Sequence, residues 1–160
     1  MIDSNEDIER AGARLREVLA CDAVLLTLGR RGMTLFGDGP SSHVDIVGEE
    51  EVTDVTGAGD TVMATFSLSL AAGLGMENGM RLANCAAGVV VTKTGAATCS
   101  PDELERAARG AAMELAKRIN PDIAYDLEGE DDLDFVELFH SKLRISPLTE
   151  RATLPDPEPK

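Results

Sequence analysis

The 160-residue sequence predicts an α/β fold, and three observations carry that reading. Ala23 to Leu28 is an unbroken apolar run of strand length. Residues 5 to 20 repeat apolar side chains at helical spacing. A glycine-punctuated loop, Asp54 to Asp60, runs straight into a long stretch of small apolar residues.

The elements follow in order. Ser4 with Asp7 is close to a capping box, and Ile8, Ala11, Leu15, Val18 and Leu19 then mark one apolar face of a helix. Ala23 to Leu28 reads as a strand buried on both faces. Gly29 to Gly32 is a turn, Met33 to Phe36 a second strand, Gly37-Asp38-Gly39 a hairpin turn, and His43 to Val47 the returning strand. Glu49 to Glu51 is a solvated acidic run. Thr61 to Ala72 is a helix of small residues, expected in the centre of the fold and ended by Gly73 and Gly75. Asn78 to about Lys93 is another helix, with Val89 to Val91 lowering its propensity. Gly95 ends that piece. Ser100-Pro101-Asp102-Glu103 starts a last helix, with Ser as N-cap and Pro at the first position, running to about Arg118.

Residues 1–119 therefore form one folded unit, and residues 120–160 differ in character. That tail holds eleven acidic and four basic residues, half of the chain's net charge of −14. Leu133 to Leu143 is a candidate short amphipathic helix. The proline-bearing end from Leu154 is expected to be disordered, which makes the tail partly so. The net charge disfavours nucleic acid and anionic membranes as partners. No apolar run approaches the ~20 residues of a membrane span, and the first residues have no signal-peptide character. Cys21, Cys85 and Cys99 are widely spaced without a C-x-x-C, which favours reduced thiols in a cytoplasmic protein over a metal site.

The chemistry sits in DVTGAGDT, Asp54 to Thr61. Gly57 and Gly59 let backbone amides turn outward, and free amides at a helix start attract anions. Asp60 places a carboxylate beside them. An anion cradle next to a base suits phosphoryl transfer to an alcohol. The pattern is neither the dinucleotide fingerprint nor a Walker A loop. A glycine turn with Asp60 as an ordinary helix-start residue remains the structural alternative. His43 and His140 are isolated and have no assigned role.

DVTGAGDTVMATFSLSLAAG resembles the signature of ribokinase-like (PfkB-type) carbohydrate kinases. LLTLGRRGMTLF and RLANCAAGVVVTKTGAATCSPDEL resemble further segments of that family, in the right order. Within the family these segments are most similar to kinases of D-glycero-D-manno-heptose 7-phosphate, which serve lipopolysaccharide heptose synthesis. The resemblance implies a three-layer α/β/α sandwich of the ribokinase type, here incomplete, with residues 1–119 as the C-terminal, nucleotide-binding half of a kinase domain.

The resemblance also assigns roles. Asp60 becomes the general base, and Gly57, Ala58 and Gly59 the anion hole. Thr27, Gly29 and Gly32 match the turn that meets the nucleotide, Asn84 a polar position facing adenine, and Gly95 the nucleotide loop. For Asn84 an internal hydrogen bond is the alternative. Asp54 and Thr56 match positions that help hold a monovalent cation, with a strand-end turn role as the alternative for Asp54, and Lys93 and Gly95 rank lower. Arg30 and Arg31 are expected to be solvated. The implied cofactors are ATP and Mg2+, with K+ as the cation. The implied partners are ATP, a sugar or sugar phosphate, and either a second copy or a separate N-terminal kinase half. The family's Asn-x-x-Glu motif and sugar pocket lie upstream of the matching segments. A non-catalytic nucleotide-binding or interaction module is therefore the other expectation. No H-x-G-H signature occurs, so no nucleotidyltransferase activity is expected of these residues.

Overall fold

The computed structural model describes residues 4–47 and 52–119. The order is α1 (Asn5–Leu19), β1 (Val24–Thr27), a 3-10 turn (Gly29–Arg31), β2 (Met33–Phe36), β3 (Ser42–Val44), α2 (Ala58–Ala71), α3 (Met76–Val91) and α4 (Pro101–Ile119). The acidic run at Glu49 to Glu51 and the tail, with its candidate helix at Leu133 to Leu143, lie outside the described residues.

The caps explain most of the boundaries. Ser4 Oγ accepts the Asp7 N–H at 3.1 Å, and Asp7 Oδ2 accepts the Ser4 N–H, so the box at the start of α1 is complete with Asp. Glu103 completes a similar box with Ser100 at the start of α4, with contacts of 3.3 and 2.8 Å. α2 ends where Gly73, at φ 84°, donates to Leu70 O and Leu74 donates to Ser69 O, a Schellman closure.

The sheet is an antiparallel meander, β1-β2-β3, with Leu25 opposite Leu35 and Thr34 opposite His43. Alternation along β2 sends side chains to opposite faces. Met33 and Leu35 join Val44, Val62, Met80 and Ala83 in one core, with Leu25, Phe66 and Ala87 packed against it. Phe36 faces the other way, onto α1, where a Cβ on Gly12 would fall 2.2 Å from its ring. Helix α1 therefore covers one face of the sheet and α3 the other, with α2 and α4 packed on α3. This is the expected α/β/α layering. Met80 and Val90 on α3 are the largest fully buried side chains, each contributing about 2 kcal/mol of apolar burial.

Four sequence expectations are corrected. β1 is not buried on both faces: Val24 to Leu26 are half-buried and Thr27 is exposed. The strand lies at the sheet edge and pairs only with β2 among the described residues, so its second edge is open. α2 is not enclosed, because only Val62 and Ser69 are buried while Met63, Leu68 and Leu70 are exposed. It leans on α3 along one side and is open on the other. It also begins at Ala58 rather than Thr61, because the glycine loop itself winds into the first turn. β3 ends at Val44, since from Asp45 the backbone is committed to α3 instead of to a strand partner.

Candidate functional site: an uncapped helix start clamped by Asp54

The loop before α2 ends in Gly57, at φ 79° and ψ 0°, a left-handed N-cap that favours glycine. No side chain caps this helix start. The first intrahelical bond runs from the Thr61 N–H to Gly57 O at 2.9 Å, and Ala58 N–H is taken by Val55 O at 3.2 Å. The N–H groups of Gly59 and Asp60 therefore stand ahead of the ladder. Of the three residues expected to form the anion hole, Ala58 thus has its N–H in a turn. A Cβ at Gly57 or Gly59 would meet nothing within 4 Å. Asp60 is exposed in the first turn of the helix. The arrangement can hold an anion against two amides and the positive end of the helix dipole, with a carboxylate at its side.

Asp54 holds this loop in place. Its Oδ1 accepts the Thr56 N–H at 2.9 Å and the Thr56 hydroxyl at 2.7 Å, and its Oδ2 accepts the Gly95 N–H at 2.9 Å. The Thr56 hydroxyl and N–H, then the Gly95 N–H, hold the Asp54 carboxyl below its ordinary value. Most of the acceptor capacity of this carboxylate is therefore spent within the chain, and Asp54 is first a clamp. The loop that presents Gly95, at φ 74°, is closed by Lys93. Its Nζ donates to Thr98 O at 2.7 Å and pairs with Glu103 Oε1 at 2.7 Å. Lys93, then Ser100, lower the Glu103 carboxyl to about 2. Sequence reading ranked Lys93 low and missed Glu103 as its partner. The Ser100–Glu103 capping signal was the available clue.

The other candidates gather elsewhere. Thr27 is exposed at the end of β1, and Gly29, at φ 60°, has open space around it. Gly32 is different: at φ 73°, its Cβ would lie 1.9 Å from Val44 O. Packing of the turn onto β3 accounts for that glycine. Asn84 is 5% exposed and its Nδ2 donates to Asp45 O at 2.6 Å. The structure thus joins Asp54, Thr56, Gly57 to Asp60 and Gly95 in one cluster. It joins Gly32 and Asn84 through the Val44–Asp45 backbone in another. Arg30 and Arg31 are exposed, as expected. All three cysteines are free, and burial pushes the Cys85 thiol up to about 11, which keeps it unreactive. A shallow depression lined by Arg16, Phe36 and Pro40 lies away from both clusters.

Among the described residues no helix is long and apolar enough to cross a membrane. Nor, among the described residues, is any group of three or more His, Cys, Asp or Glu placed to hold a metal.

A layered α/β/α fold with an uncapped, glycine-led helix start suits the binding of a phosphate-bearing ligand. Comparison agrees: the profile of the pfkB family of carbohydrate kinases matches residues 2–103. The chain belongs to that family. It is 38% identical over 120 residues to the bifunctional protein HldE of Desulfatibacillum aliphaticivorans, covering 75% of this chain and 24% of that protein. It is 47% identical over 111 residues to the HldE of Photorhabdus laumondii, covering 69% and 23%. Solved structures agree on a ribokinase-like fold. Arabidopsis thaliana ribokinase, complexed with ribose and ATP, matches with a TM-score of 0.62 at 29% identity, over 66% of this chain and 35% of that one. Escherichia coli phosphofructokinase-2, in complex with potassium, matches with a TM-score of 0.62 at 19% identity, over 68% and 35%. The chain thus spans about a quarter of the length of the curated relatives it matches.

Proposed function

We propose that this chain is the nucleotide-binding, C-terminal part (residues 1–119) of an ATP-dependent sugar kinase that acts on a sugar or sugar phosphate hydroxyl, of the heptose 7-phosphate type. It would work with the N-terminal portion of a kinase domain, on the same chain or another, in the cytoplasm. The observation that carries the reading is the start of α2, where the Gly59 and Asp60 N–H groups are unclaimed over open glycines. Family membership supplies the nucleotide and the sugar class. ATP supplies the phosphoryl group, with Mg2+ on its phosphates. The described residues offer no carboxylate cage, so such an ion would be held mainly by phosphate oxygens. K+ would sit beside Asp54, with Thr56 Oγ1 next to it.

In this reading the Gly59 and Asp60 N–H groups hold the charge of the transferring group. Asp60 takes the hydroxyl proton as that oxygen attacks the γ-phosphorus and ADP departs. Thr27, Gly29 and Gly95 line the nucleotide side, where the first two border open space.

Calorimetric titration with ATP and Mg2+ in potassium buffer, paired with turnover after adding an N-terminal kinase portion, tests the proposal. Wild type should bind saturably. Asp60→Asn should bind nearly as well but lose turnover by ~10²–10⁴, the usual worth of a general base. Equal turnover in the two proteins would refute the role of Asp60.

A second reading, a non-catalytic nucleotide-binding or interaction module, draws on the exposed Val55, Met63 and Leu68 and the open edge of β1. An open sheet edge favours pairing with another chain, so a second copy or an N-terminal kinase half is the expected partner. Binding without turnover, even when complemented, would favour this reading.

A further inference from the structure

Two stretches of chain, Asp45 to Val47 after β3 and Thr53 to Asp54 before the phosphate loop, both meet α3. Asn84, Gly88 and Val91 stand at i, i+4 and i+7, a spacing that aligns them on a helix. Each meets a successive piece of the incoming chain. Asn84 Nδ2 donates to Asp45 O at 2.6 Å. Gly88 leaves room for the Val47 carbonyl, which would lie 2.7 Å from a Cβ there. Val91 O accepts the Thr53 N–H at 2.9 Å and the Asp54 N–H at 3.2 Å. Asp54 then grips Thr56 and, just beyond the end of α3, Gly95.

We propose that α3 is a rail that sets the position of the phosphate loop, with Asn84 and Gly88 as positioning residues for it. The geometry stands by itself, and its consequence for ligand rests on the nucleotide-binding reading above. The role differs from the adenine contact that the family resemblance implies for Asn84. Its amide is buried and spent on a backbone carbonyl. An amide in that state acts through the placement of α3, whose Val91 carbonyl holds Thr53 and Asp54. A small residue is required at Gly88 for the same reason, since any side chain would force α3 and Val47 apart and move the Val91 carbonyl that holds Thr53 and Asp54.

Amide exchange on the full chain tests the rail without any ligand. In Asn84→Ala the Thr53 and Asp54 amides should exchange about tenfold faster, the effect of one lost hydrogen bond, while Leu25 and Leu35 keep their rates. Gly88→Ala should give the same local pattern with Asn84 intact, and it decides the matter if Asn84→Ala fails to fold. Unchanged rates at Thr53 and Asp54, or a uniform rise across the chain, would overturn the rail. The ligand arm compares ATP with adenosine. Asn84→Ala should weaken ATP about tenfold and leave adenosine unchanged, whereas equal losses for both would mean that Asn84 touches the base and would overturn its positioning role. If wild type binds neither, the kinase reading fails, and exchange at Thr53 and Asp54 still decides the rail.

Discussion

Two glycines with nearly the same positive φ, but with ψ of −134° and 0°, do opposite jobs. Gly32 sits at φ 73° and Gly57 at φ 79°. Around Gly32 the space is filled: a Cβ would lie 1.9 Å from Val44 O and 2.9 Å from the Asp45 backbone. Around Gly57 and Gly59 nothing lies within 4 Å, and the helix that follows has no side-chain cap. The first turn needs glycine so that strands can close. The second keeps backbone N–H groups approachable. A glycine motif therefore signals a ligand only where the fold has not already used the space.

The largest expected effect breaks the first side of the comparison. Gly32→Ala adds a carbonyl clash to a left-handed backbone and should cost about 3 kcal/mol or more. For a unit of this size that is a fall in melting temperature of roughly 10–20 °C, read by thermal unfolding. A fall of only a degree or two would mean that β3 yields easily and that the turn is not held by packing.

Next comes the second side. Gly59→Ala is a helix position with room for a methyl, so stability should stay level or rise by about 0.5 kcal/mol. ATP affinity should fall about tenfold, because the methyl stands where a phosphate would approach the amides. Calorimetry and a melt on the same sample separate the two. A stabilised protein with undiminished ATP affinity would make Gly59 a helix-start residue and nothing more.

The sequence was most legible where chemistry is local. The capping boxes at Ser4 and Ser100, the turn at Gly29 to Gly32 and the Gly57–Asp60 loop are all set by residues within a few positions of one another. It was least legible where distance in sequence hides contact in space. Nothing near Asp54 announces that Gly95, 41 residues on, will hold its carboxylate, nor that Asn84 will reach Asp45 across 39. The apolar run at β1 misled for a related reason. An apolar run reports what a strand can bury, and β1 finds a strand partner on one edge only among the described residues.

The smallest effect sharpens the contrast in what holds each region. Sterics hold the β1–β2 turn at Gly32, whereas two carboxylates hold the loop from Asp54 to Asp60, Asp54 directly and Glu103 through Lys93 and the Gly95 loop. Both carboxyls lie below their ordinary values of 3.8 and 4.5 in the folded chain, Glu103 at about 2. A group lowered on folding stabilises the fold above its unfolded value and loses that contribution as pH falls through the folded one. Acid should therefore loosen the Thr53, Asp54 and Gly95 amides before those of Leu25 and Leu35, which depend on no carboxylate. The melting temperature of wild type should exceed that of Glu103→Gln by a constant margin above about pH 5. The margin should close between pH 4.5 and about 2. A margin that persists at pH 2 would mean that the charge of Glu103 on Lys93 is not its source.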